Sequence, residues 1–417
     1  MPTPMPGSPD PVVLSEQLVH QSHDVYPGLR EQPPVRVRFA DGEEGWLVTR
    51  YSDVKAVAAD PRISRDLAGI RRLSEAQAAS SGPRGDHADD ADDDPYGGYE
   101  WMFRNVLYLD PPDHTRLRKL VNKAFTPRAI EALRPRIEQI TDQLLDQMDG
   151  QETVDLLASF AVPLPVTAIS ELLGVPVSDR PDFWAWSHVL NGNSAAAGRL
   201  GTLRAAADYL GVLADRKRAE PGDDLISHMV VAAEDGDQLS REELLAMSLL
   251  MLLAGHDTTV SLIANGVLAF LRSPDQLALL RADPSLLPNA VEEILRYDGP
   301  VNISTARFTR EPIELGGVQI PAGEMLYPAM LAANRDPLRF TAPDRFDISR
   351  DTGGHVGFGH AVHFCLGAPL ARMEGCIALG KLFDRFPAIQ LAADPAALAY
   401  RDSTLIHGPV SMPVRLK

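Results

Sequence analysis

The chain has 417 residues, 45% hydrophobic, 23% charged and 6% aromatic, with a net charge of -17. This is globular usage and excludes a wholly disordered, collagen-like or coiled-coil protein, and the acidity argues against a nucleic-acid or anionic-membrane binder. Two cysteines, Cys365 and Cys376, exclude a disulfide scaffold and a four-cysteine zinc site.

The opening MPTPMPGSPD has neither the basic nor the apolar part of a signal peptide. The most apolar stretch, Leu244 to Ala254, is shorter than the roughly 20 residues of a spanning helix. A cytoplasmic protein with no membrane partner is expected, as one domain over residues 1–417 with a flexible tail at 1–20.

PVRVRF alternates, Asp41-Gly42 offers a tight turn and Trp46-Leu47-Val48 returns, which predicts a β-hairpin. Residues 51–60 read as a helix. Residues 74–100 carry six aspartates between Asp86 and Asp94 and read as a mobile loop, since blocks of like charge repel. Long loops of this kind also serve as entry lids. The aromatics that follow, Tyr96, Tyr99, Trp101 and Phe103, suit ligand contact better than the aspartates do.

From residue 110 to about 300 the pattern is helical, with apolar periodicity through Ala129–Met148, Pro163–Leu173 and Ala205–Arg218. Ser240 and Glu243 form a capping box, and one helix is expected from there to Phe270. Between Leu244 and Ala254 it is apolar on every side, the mark of a core helix. Further helices start at Ser273-Pro274 and run from Pro288 to Tyr297, which Gly299-Pro300 stops. PIELGGVQIPAG reads as strand, Gly-Gly turn, strand, and a last helix runs from Ala368 to about Phe383. The fold class is therefore mainly α with a small β region.

Four features carry chemistry. In GGHVGFGHAVHFCLGAPLAR, Cys365 lies between Phe364 and Leu366, among Gly357, Gly359 and Gly367, just before a helix. A helix N-terminus and free amides stabilise an anionic sulfur, and a thiolate in apolar surroundings suits an axial haem ligand. A lone cysteine is ordinarily a small buried apolar residue. Cys376, inside a helix, fits that description, but Cys365 among its glycines does not.

Inside the core helix, Gly255-His256-Asp257-Thr258-Thr259 places an acid and two hydroxyls where they are costly unless paired. They read either as a kink with satisfied side chains or as a proton-delivery pair, Asp257 and Thr258, beside a reactant. Glu293 and Arg296 share a helix face at i, i+3, as do His114 and Arg118 at i, i+4 in DPPDHTRLRKL. Each of these two pairs is also what an ordinary solvated helix carries.

Taken together, these four features resemble the cytochromes P-450, haem-thiolate monooxygenases, in their soluble bacterial form. The resemblance runs from the hairpin at residue 35 to the C-terminus. It implies the triangular helical prism of that family around haem b. Cys365 would be the axial thiolate, with Phe358 packed beside it. Ala254, Gly255, Asp257 and Thr258 would lie over the distal face, the last two as the acid–alcohol pair. His114, Arg118, Arg307 and His363 would bind the haem propionates, and Gly367 would be a further cofactor-binding residue. Glu293, Arg296 and Arg345 would form a buried structural triad.

Substrate contacts would come from Tyr99–Phe103, including Trp101 and Phe103, from Leu250 and Ala254, from Ile303-Ser304-Thr305 and from Thr404-Leu405-Ile406. Electrons would come from NAD(P)H through an external ferredoxin and ferredoxin reductase, with Arg116, Lys119, Lys123, Arg128 and Arg372 as a basic docking face. The segments ELLGV, AGHDTT and HFCLGAPLAR are most similar to actinobacterial enzymes that tailor macrolides and other polyketides. The expected reaction is hydroxylation or epoxidation of a bulky, mostly apolar small molecule. The alternatives are a steroid, terpenoid or fatty-acid substrate, or a non-catalytic haem sensor or carrier, against which the Asp257–Thr258 pair argues. One departure stands out: Ala361 occupies a position where the family usually has glycine. If φ is positive there, alanine costs about 1 kcal/mol or somewhat more.

Overall fold

The computed structural model describes residues 11–14, 22–39, 42–67, 69–73, 98–191, 196–234 and 237–417. Most of the expected N-terminal tail, Asp41 and the aspartate-rich segment 74–97 with Tyr96 lie outside the described residues.

The helices, in chain order, are α1 (Ser22–Arg30), α2 (Tyr51–Ala59), α3 (Asp113–Ala124), α4 (Pro127–Ala132), α5 (Arg134–Met148) and α6 (Pro163–Leu172). Next come α7 (Arg180–Asn191), α8 (Ala196–Ala219), α9 (Leu225–Val231), α10 (Arg241–Ala254) and α11 (Asp257–Arg272). The series ends with α12 (Pro274–Ala282), α13 (Leu287–Tyr297), α14 (Met330–Asn334) and α15 (Ala368–Arg385).

The main sheet orders its strands Val12–Val13, Val35–Arg38, Glu44–Val48, Met325–Pro328, Arg307–Thr309 and Ile63–Ser64. The expected hairpin is present, with Val35 opposite Leu47 and Val37 opposite Gly45. Met325–Pro328 runs parallel to its second strand. A Cβ at Gly45 would stand 2.7 Å from the Met325 carbonyl, so only glycine admits that pairing. Ile313–Leu315 and Val318–Ile320 form the second hairpin, joined by Gly316 and Gly317, both at positive φ. Two such residues match the right-handed strand twist.

The helical body encloses one large apolar cluster that draws on α5, α6, α10, α11, α13 and α15. Two smaller clusters, one including Tyr26 and Leu47 and the other Val48 and Val54, flank the main sheet. In α11 the side chains from Thr259 to Phe270 are all buried. Asn265, fully buried within it, donates to the Asp298 carbonyl at 2.9 Å and the His407 carbonyl at 3.1 Å. These bonds tie the turn after residue 403 to the core helix.

The single helix expected from Ser240 to Phe270 is two helices. The capping box of Ser240 and Glu243 starts α10 as expected, but the ladder breaks at Gly255-His256 and α11 restarts at Asp257. At 255 a Cβ would meet Met251 O at 2.5 Å and Ile169 Cδ1 at 2.9 Å, so packing against α6 requires glycine at the break. Taken through the break, Arg241–Arg272 is 32 residues long and apolar enough to cross a membrane, which the shorter stretch Leu244–Ala254 is not. Most of its apolar window, 72%, is buried inside the protein, where it forms the centre of the helical body.

Candidate active site

The cysteine loop folds through local backbone bonds. Gly359 N–H donates to Val356 O at 2.8 Å, Phe364 N–H to Ala361 O at 3.1 Å and Cys365 N–H to Phe358 O at 2.9 Å. Gly359 and Ala361 sit at φ +79° and +59°. Alanine therefore holds a left-handed conformation, the circumstance in which its methyl is costly.

Cys365 lies on the loop just before α15, whereas Cys376 lies within α15. Burial raises the Cys365 thiol pKa. The amides of Gly367 and Ala368 and the charges of Arg118 and Arg372 act the other way, favouring thiolate. Burial pushes Cys376 up to about 11. Backbone amides face Cys365, whereas the charge of Glu292 raises Cys376 further.

Beside the loop lies a cluster of two buried arginines, Arg65 and Arg307, and two histidines, His114 and His363, that burial holds in the neutral form. His114 and His363 have ring centroids 4.4 Å apart. Arg307 is 5% exposed and Arg65 7%. Both ring nitrogens of His114, Nε of Arg307 and Nε of Arg65 are buried without a hydrogen-bond partner. Burial holds Arg307 well below its ordinary pKa, Arg65 at about 10 and His363 at about 3, and the charge of Arg65 lowers Arg307 and His363 further. Buried donors this poorly matched require an anionic partner. The two propionates of haem are such a partner, so the residues present fit that group.

Arg65 was not anticipated from sequence. It is a single arginine after a two-residue strand, and no spacing marks it. Its Nη2 donates to Ser304 Oγ at 3.1 Å, so the Ser304 hydroxyl serves the cation cluster. Arg118, half-buried on α3, is lowered by burial and electrostatically linked to Cys365.

At the helix break, Ala254 is exposed although α10 and α11 are otherwise core helices. Thr258 Oγ1 donates to the Ala254 carbonyl at 2.9 Å. Asp257 is 7% exposed. Its Oδ1 lies 2.9 Å from Arg401 and its Oδ2 3.6 Å from His256 Nε2. The side chain of Arg401 is 25% exposed, so this chain of groups leads from the break toward solvent.

Behind the site, Arg296 and Glu293 are fully buried and doubly bonded, at 2.7 and 2.8 Å. The expected third member, Arg345, is corrected. Its side chain is exposed and only its carbonyl meets Arg296, at 3.3 Å. Arg350 instead reaches Glu293 Oε1 with Nε at 3.2 Å. The chain turns at Ala342, φ +46°, and the strap up to Arg350 directs backbone oxygens inward, with Pro343 O 2.8 Å from Arg296.

The expected pocket residues divide. A cleft of about 560 Å³ is lined by Tyr99, Trp101, Gly211, Val212 and Leu245, with Asp208, Asp215, Arg241 and Glu242 among its polar residues. Phe103, Leu250, Ala254, Ile303, Ser304 and Leu405 do not line it, nor do Cys365, Asp257 or Thr258. Phe103 packs edge-on against Tyr108, and Ile303 is a core residue of the sheet side. Segments 301–303 and 404–406 do meet, since Ile303 N–H donates to Thr404 O and Asn302 N–H to Leu405 O. Leu405 remains 39% exposed. Of the expected docking cations, Arg116 is paired with Asp237 and Glu243, and Arg372 with Glu292.

The helical body, the glycine-ringed cysteine and the buried cations together define a haem monooxygenase, and the chain belongs to the cytochrome P-450 family. The model of that family, Cytochrome P450 in its own description, matches residues 212–395. The chain is 49% identical over 407 residues to cytochrome P-450 107B1 of Saccharopolyspora erythraea, covering 98% of each chain. It is 47% identical over 395 residues to the vitamin D(3) 25-hydroxylase of Pseudonocardia autotrophica, covering 94% of this chain and 93% of that one. The solved structure of the bacillaene polyketide synthase cytochrome P-450 PksS of Bacillus subtilis superposes with a TM-score of 0.87, at 38% identity, over 97% of this chain and 98% of that one.

Proposed function

We propose that the protein hydroxylates or epoxidises a bulky, mostly apolar small molecule, a macrolide or other polyketide, using dioxygen and electrons from NAD(P)H. A ferredoxin reductase and a ferredoxin deliver those electrons, and the enzyme works in the cytoplasm as one domain. The resemblance of the chain to a polyketide-synthase cytochrome P-450 supports the substrate class.

Cys365 holds the haem iron, and Arg65, His114, Arg118, Arg307 and His363 hold the propionates. Haem bound through a thiolate supplies the chemistry that splits dioxygen with two electrons and two protons, leaving one oxygen atom in the product and the other in water. The protein must then deliver protons to a dry cavity. The observation that carries this role is the break between α10 and α11. It exposes Ala254 and sets a hydroxyl, Thr258, beside a carboxylate, Asp257. Rotation about Cα–Cβ takes the Thr258 proton from the Ala254 carbonyl into the cavity. The Asp257 carboxylate, paired with the partly exposed Arg401, takes up a proton from water and passes it on to restore the hydroxyl.

A sterol-like substrate is the second reading, favoured by the identity to a vitamin D(3) hydroxylase. The test is the haem spin state of the purified enzyme titrated with a panel of polyketides and steroids, followed by turnover with NADPH, ferredoxin and reductase. A high-spin shift and oxygenated product from a polyketide support the proposal. A response confined to steroids supports the second reading.

A further inference from the structure

Glu292 and Glu293 are neighbours on α13 with different partners. Glu293 faces the strap up to Arg350, while Glu292 faces the cysteine loop. Arg372, on the second turn of α15, donates from Nε to Glu292 Oε1 at 2.6 Å and from Nη2 to Oε2 at 2.9 Å. His355 Nε2 lies 2.9 Å from the same Oε2, and its Nδ1 accepts the Gly357 N–H at 3.0 Å. The Arg372 guanidinium carbon stands 4.6 Å from the centroid of the Phe358 ring. The Phe358 carbonyl, in turn, accepts the Cys365 N–H at 2.9 Å.

The array is therefore closed. A bidentate pair fixes the guanidinium, the guanidinium lies over the ring, and the ring's own backbone holds the cysteine amide. Arg372 and His355 keep Glu292 ionised, at a pKa of about 2, despite its burial. A planar fork paired on one side and stacked on the other is fixed in a way that a lysine would not be.

We propose that Glu292 and Arg372 are positioning residues for Cys365, a fixed charge pair that sets the reduction potential of the centre through Phe358. The proposal rests on Cys365 being the haem ligand. Reduction adds an electron to the centre, so a nearby positive charge favours the reduced form and a negative charge opposes it. Removing the Arg372 charge must lower the potential. Removing the Glu292 charge must raise it. A pair that only packs the loop predicts shifts of the same sign, because either loss loosens the same contact.

The experiment is a spectroelectrochemical titration of the holoenzyme and of its Arg372→Gln, Arg372→Lys and Glu292→Gln variants. The ferrous carbon monoxide spectrum of each is recorded alongside. The expected result is a lower potential in Arg372→Gln, a higher one in Glu292→Gln and a smaller shift in Arg372→Lys, with the red-shifted Soret band kept throughout. Shifts of one sign in both neutralising variants, or none, with the band kept, overturn this proposal alone. A wild-type enzyme that lacks the band overturns both it and the assignment of Cys365.

Discussion

Thr258 Oγ1 and the Ala254 carbonyl are joined by a 2.9 Å hydrogen bond across the break between α10 and α11. The bond closes a gap that the backbone ladder leaves open, and its proton is the one available to the exposed side of that break. The hydroxyl thus has two separable jobs, one in the helix and one in the cavity.

Thr258→Ala should cost about 1 kcal/mol of stability for one hydrogen bond and leave haem and substrate binding intact. Its main effect should be uncoupling, with NADPH consumed, hydrogen peroxide formed and product per NADPH reduced several-fold. Asp257→Asn should slow turnover by about 10²-fold with less uncoupling, because the hydroxyl remains. Product, peroxide and NADPH measured together with melting temperature check both. Full coupling in Thr258→Ala with a large drop in melting temperature would leave the hydroxyl with its helical role only.

Arg350→Ala should remove a partner from the fully buried Glu293 and cost about 3 kcal/mol or more, with loss of bound haem. Arg345→Ala should sit within about 0.5 kcal/mol of wild type, because only its backbone is used. Urea unfolding of the two variants side by side separates them, and equal losses would restore Arg345 to the triad.

The difference between those arginines shows what the sequence carries. The start of α10, the helices α12, α13 and α15, both hairpins and the cysteine loop follow from local rules of capping, glycine placement and periodicity, whereas α14 does not. Arg350 and Arg65 do not, because their roles depend on how distant segments meet. Arg345 fits the motif by spacing, yet the turn at Ala342 sends its side chain outward. The break at Gly255 was signalled by its polar cluster. Its abruptness follows from Ile169 on α6, a contact that no reading of one segment contains. Leu250, Ile303 and Leu405 are apolar residues in the segments expected around the pocket, but the tertiary path assigns Ile303 to the sheet core.

Ala361→Gly should strengthen the cysteine loop. A left-handed alanine costs about 1–2 kcal/mol, and glycine's greater freedom in the unfolded chain returns roughly 0.5–1 of that. The net gain is therefore between about 0 and 1.5 kcal/mol. Slower haem loss and a higher melting temperature in the variant would bear this out, whereas a less stable variant would contradict the strain assigned to φ +59°.

Glu374 is 1% exposed on α15, and its Oε2 has no partner. Burial raises its pKa to about 8. The folded value lies above the unfolded one, so the favourable contribution is complete below about pH 4.5 and is lost as pH rises through 8. Glu374→Gln should therefore raise the melting temperature at pH 8 relative to wild type and give no such gain at pH 4.5. A benefit independent of pH would mean that the fold does not raise the pKa of the carboxyl.

The central claim is that Cys365, and not Cys376, binds the haem iron as thiolate. The absorption spectrum of the reduced, carbon monoxide-bound protein tests it most directly, in wild type, Cys365→Ser and Cys376→Ala. The red-shifted Soret band should be present in wild type and Cys376→Ala and absent from Cys365→Ser. A band that survives in Cys365→Ser and disappears in Cys376→Ala would contradict the account.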